Sequence, residues 1–139
     1  MSILADFRTR LVGNSSVSGL ATGGVHIDIT PPEEYRPHLL FYITYEDTED
    51  CLTHFMDFQS AAVRVEAIAN SRAEAEALMR QCEKALDGWR GRHSGSSVFV
   101  NGVKRKTGKT QLVDTPQDGT DQWRFRTLMN FDVNYYFVN

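Results

Sequence analysis

The sequence predicts one α+β domain, in which helices pack on one face of an antiparallel or mixed β-sheet. Three observations predict it: an alternating run over residues 122–138, shorter alternating runs upstream, and a single helical stripe over residues 71–88. In the first run, large apolar side chains take nearly every odd position, with polar side chains such as Arg124 and Asp132 between them. Because successive side chains of a strand point to opposite faces, one face of this strand must be covered by the rest of the chain.

Bulk composition is that of an ordinary globular protein. The chain has 139 residues, of which 41% are hydrophobic and 24% charged, so we expect one domain over residues 1–139. A net charge of -3 gives no general attraction to nucleic acid or anionic membrane. We see no apolar run that could cross a bilayer, and therefore expect no membrane partner. Two cysteines are too few for a disulfide framework, which fits a reducing cytoplasm.

The first half of the chain is predicted to form a short helix followed by three strands. Residues 3–12 carry apolar side chains at helical spacing. Alternation then predicts strands over residues 25–29, 39–45 and 55–69. Residues 46–50 hold four acids in five positions, and we interpret them as a solvated turn.

The clearest helix spans residues 71–88. Ser71 and Glu74 have the spacing of a capping box, in which the Ser hydroxyl accepts from the Glu74 amide. Gly88 stands where a C-terminal cap belongs. The apolar residues recur every three or four positions: Ala75, Leu78, Cys82, Ala85, Leu86 and Trp89. This single stripe predicts a helix with one side on the sheet and the other in water.

After this helix, the pattern predicts a β-hairpin and a long last strand. Residues 90–97 are polar, a strand begins at residue 98, and Asn101-Gly102 is a strong hairpin-turn dipeptide, with residues 112–113 in the return strand. We expect a long β-hairpin or loop arm here. The last strand exceeds the ~3–10 residues of most strands, so we expect it to bend or to extend past its own domain.

Part of this hairpin is a partial match to a phosphate-binding loop. Gly108, Lys109 and Thr110 follow a strand, but five residues separate Gly102 from Gly108 where the motif has four. A phosphate loop also needs a helix after the Lys-Thr pair, and residues 111–121 carry no helical stripe. We therefore predict no nucleotide and no other cofactor.

No catalytic or metal-binding group is predicted either. Cys51 and His54 have ligand spacing, but no second close pair accompanies them, since Cys82 and His93 are eleven residues apart. A buried structural thiol explains Cys82 better, because it lies on the apolar stripe of its helix. The sequence has no nucleophile-elbow motif. We assign no catalytic, cofactor-binding or metal residue and expect no enzyme.

A basic cluster is the candidate functional site. It consists of Lys104, Arg105, Lys106 and Lys109. The ordinary interpretation is a charged hairpin tip in water. The alternative is a contact arm over residues 104–121 that becomes ordered against a neighbouring subunit or partner.

The order of elements resembles the tail terminator, or tail completion, family of long-tailed bacteriophages, prophages and gene transfer agents. The resemblance covers nearly the whole chain and is carried by four stretches: LLFYITY, AAVRVEAIA, SRAEAEALMRQCEKALDGW and WRFRTLMNFDVNYYF. It implies a small α+β virion protein that forms a hexameric ring on the head-proximal end of the tail tube. Such a ring stops tube polymerisation and offers a surface for head–tail joining.

The resemblance also implies the partners. They are other copies of the chain, the major tail tube protein and the head–tail connector protein, while DNA passes through the lumen without specific binding. The chain would reside in the host cytoplasm before assembly. Because a lumen around DNA is expected to be neutral or acidic, the basic cluster is expected on an outer or tube-facing surface. The alternatives are a head-closure or adaptor protein of the neck and, in another class, a small nucleotide-binding or hydrolytic enzyme.

Overall fold

The computed structural model describes residues 3–29, 37–49, 58–106, 108, 110–114 and 123–137. Within these residues, helices and strands follow the predicted α+β order. The helices are α1 (Ile3–Gly13), α2 (Ser15–Leu20) and α3 (Arg72–Leu86). The strands are β1 (Val25–Ile27), β2 (His38–Glu49), β3 (Phe58–Ala69), β4 (Val98–Arg105), β5 (Thr110–Asp114) and β6 (Arg124–Phe137). The six strands form one sheet, and the three helices pack against it.

The sheet is mostly antiparallel and is centred on β3 and β6. Its order is β1-β2-β3-β6-β4, with β5 also paired to β6. Only β1 pairs in parallel, with Val25 beside Leu39. β3 pairs with β6 from Phe58↔Tyr136 to Ala69↔Phe125, so these two strands are matched over twelve residue pairs. This confirms the mixed α+β sheet with helices on one face.

The middle of β6 has the faces that its alternation predicts. Its odd-numbered residues are buried under the helices: Thr127, Met129, Phe131, Val133 and Tyr135. The odd-numbered side chains at the two ends are not buried, since Trp123 is 50% exposed and Phe137 is 52% exposed. The expectation that the whole odd face is covered is therefore wrong at both ends.

Helix α3 lies across this face as predicted. The Ser71 hydroxyl accepts a hydrogen bond from the Glu74 amide at 3.2 Å, and Gly88 adopts φ 79° just after the helix. Its stripe is buried against the sheet: Ala75, Leu78, Met79, Cys82, Ala85 and Leu86. Full burial of each large apolar side chain stabilises the fold by about 1.5–3 kcal/mol.

Helix α1 extends the same core over the other half of the sheet. Phe7 is fully buried, 6.3 Å from the Phe41 ring of β2 and 5.6 Å from Trp89 between ring centroids. The polar linker adds a buried contact, in which the Ser96 hydroxyl donates to Asp6 at 2.9 Å. A single hydrophobic core therefore contains residues of both α1 and β6.

Two predicted turns are strands in the structure. β2 continues through residues 46–49, which the acidic composition had placed in a solvated turn. β4 continues through Asn101-Gly102, where the prediction was a hairpin turn, and Gly102 lies at a β-bulge without a positive φ. In both places pairing with a long neighbouring strand outweighs the local turn preference.

β4 and β5 do not form a hairpin with each other. Both run antiparallel to β6 along the same edge, Val98 beside Phe137 and Asp114 beside Arg124. They are therefore two parts of one interrupted edge, broken between Arg105 and Thr110. β6 is flanked by β3 on one side and by β4 and β5 on the other. Of the two predicted outcomes, a bend or an extension past its own domain, the extension is therefore wrong for Arg124–Phe137.

Candidate assembly surface

The basic cluster is only partly a loop. Lys104 and Arg105 belong to β4, where they pair with Asp132 and Phe131 of β6. The Arg105 guanidinium forms an ion pair with Glu83 of α3 at 2.7 Å. Two of its predicted members are therefore held by the sheet rather than by a mobile arm.

The rest of the cluster lies at the break between β4 and β5. Lys106 lies 3.9 Å from Asp132 and its side chain is 57% exposed. Lys109 and residues 115–121 of the predicted arm lie outside the described residues. We call Lys104, Arg105 and Lys106 the basic run. Acidic side chains lie beside it, because Arg105 is paired with Glu83 and Lys106 lies near Asp132.

Strand β2, on the other side of the sheet, contains acidic residues that begin one position after Tyr45, the residue in the row of Lys104. β2 contains Glu46, Asp47 and Glu49, which we call the acidic run. Glu46 is exposed, and the neighbouring Tyr45 is 62% exposed. Edge strands commonly carry charged side chains, which oppose uncontrolled pairing.

The sheet face away from the helices holds a polar network. Glu66 of β3 is 5% exposed and accepts hydrogen bonds from the Tyr42 hydroxyl at 2.8 Å and from the Arg126 guanidinium at 2.9 Å. Burial, and then the hydrogen bond to Glu66, raise the pKa of Tyr42. The contacts satisfy the buried carboxylate, whose charge would otherwise be costly in this position.

Sequence reasoning missed this network. Its signal is an acid inside an apolar strand, since Glu66 stands between Val65 and Ala67. A second link lies beside it, where Arg64 donates to Asn130 at 3.1 Å. These residues form a paired polar layer on the open face, without the arrangement of nucleophile and base that catalysis would need.

A small apolar patch is exposed at the end of the β5 edge. Val113 is 41% exposed and Leu112 is 40% exposed. Val113 pairs with Phe125 and so points to the helix side, while Leu112 pairs with Arg126 and points to the open face. Trp123, which the sequence had placed in the core, precedes β6 at the same end. Val113 and Trp123 together are called the apolar knob.

A groove opens on the helix side of the sheet, between α2 and the first turns of α3. Its volume is about 440 Å³. The lining is mainly apolar, and its residues are Gly19, Leu20, Thr22, Pro37, Ala73, Glu74 and Ala77. Binding clefts commonly measure ~300–1,000 Å³, so the groove has the size to accept a large side chain.

The described residues contain little that suggests catalysis or metal binding. Burial raises the pKa of the Cys82 thiol, as expected for a structural cysteine. Among the described residues, no group of three acidic, His or Cys side chains is placed to hold a metal. Cys51 and His54 lie outside them. Strand β5 begins at Thr110, so the partial phosphate-loop match is followed by a strand and lacks the helix that such a loop requires.

None of the helices in the described part of the chain is long and apolar enough to span a bilayer.

The fold is similar to that of a solved chain in the virion of a native gene transfer agent particle. The TM-score is 0.67 at 16% sequence identity, and the similarity covers 97% of this chain and 95% of that one. At this identity the match shows a shared fold. No protein-family model matches the sequence, and no curated protein matches it.

Proposed function

We propose that this chain is a structural virion protein of a phage-like particle, and that it forms a ring on the head-proximal end of the tail tube. The observation that carries the proposal is the similarity of fold to a gene transfer agent virion chain over nearly the whole length of both. The stretches that resemble tail terminators build the centre of this fold, since they supply β2, β3, α3 and β6. Resemblance in sequence order and similarity in fold therefore support the same class of protein.

In this role the protein works by binding and performs no reaction. The ring covers the growing end of the tube, so that tube protein no longer adds, and its outer surface receives the head–tail connector. The net charge of -3 suits a ring through which DNA slides, because Lys and Arg contacts to phosphate dominate DNA affinity.

Deletion of the gene tests this function. In cells that produce the particle, we expect tails of abnormal length that fail to join heads, and a plasmid copy should restore normal particles. Tail lengths and head attachment would be measured on negatively stained particles by electron microscopy. Tails of normal length that still fail to join heads would favour the neck-protein alternative. Normal, head-attached tails without the gene would contradict both.

A further inference from the structure

We draw no further inference here: the strongest candidate, the mainly apolar groove between α2 and the first turns of α3, carries none, because nothing in the structure shows what covers it.

Discussion

The two faces of the sheet are built from the same strands but are stabilised in different ways. On the helix-covered face, Phe131 and Val65 are 0% exposed and lie in one continuous apolar core. On the open face, the next residue along β3 is Glu66, which is kept in place by hydrogen bonds to Tyr42 and Arg126. The covered face is stabilised by the burial of large apolar side chains, so removing one of them should lower the free energy of unfolding by a large amount. The open face is stabilised by hydrogen bonds and ion pairs, so removing one of these should lower it by a smaller amount.

The largest effect is expected on the covered face. Phe131→Ala should lower the free energy of unfolding by about 3–5 kcal/mol, because it removes a fully buried ring and leaves a cavity. Chemical denaturation would measure it. Phe137→Ala is the matched control, since Phe137 lies on the same strand and in the same alternation but is 52% exposed. Equal losses in the two variants would mean that burial does not distinguish the centre of β6 from its end.

A smaller loss is expected when the polar network is broken. Arg126→Met should cost about 1–3 kcal/mol, because it leaves the buried Glu66 carboxylate without its guanidinium partner. Arg64→Met removes a hydrogen bond to the neutral Asn130 and should cost less. If Arg64→Met were the more destabilising of the two in the same denaturation assay, the Glu66 pairing would not be what stabilises this face.

Tyr42→Phe should cost about 0.5–1.5 kcal/mol near neutral pH, as expected for one hydrogen bond. Its effect should also depend on pH. Burial and the Glu66 contact raise the pKa of Tyr42 above its usual value of 10.0, so the folded state holds this proton more tightly than the unfolded state. The contribution is then complete below pH ~10 and decreases as the pH rises further. A difference from wild type that grew above pH ~10 would contradict this account.

The smallest effect on stability is expected at the basic run. Lys104→Glu should change the free energy of unfolding of the subunit by less than about 0.5 kcal/mol, because Lys104 is exposed. A thermal midpoint lowered as much as in Phe131→Ala would place Lys104 in the fold rather than on an assembly surface.

The sequence predicted the elements whose signals are physical and local. Alternation identified the centre of β6, and capping at Ser71 with Gly88 after the helix placed α3 within one or two residues. These patterns reflect side-chain direction and backbone hydrogen bonding within one element, so they can be recognised without knowing the neighbours.

The predictions failed where the conformation of a segment is determined by the strands that pair with it. Asn101-Gly102 has the composition of a hairpin turn, but β6 on one side and the Gly91 segment on the other keep it in a strand. Residues 46–49 are acidic because they lie on an edge strand, which the composition alone cannot distinguish from a turn.

The candidate site was predicted only in part. The basic cluster was recognised by its charge, but the position of Lys104 on an edge strand, in the same row of the sheet as Tyr45, follows from strand register. Register joins residues far apart in sequence, such as Lys104 and Tyr45 across four strands, and no local pattern contains that information.

The position of the protein in the particle tests the central claim most directly. An epitope-tagged copy that restores normal particles would be labelled with gold-conjugated antibody and viewed by electron microscopy. We predict label at one position, the junction between tail and head, and no label elsewhere. Label along the tail tube, on the capsid or at the distal tip, or particles without any of the protein by mass spectrometry, would contradict the assignment.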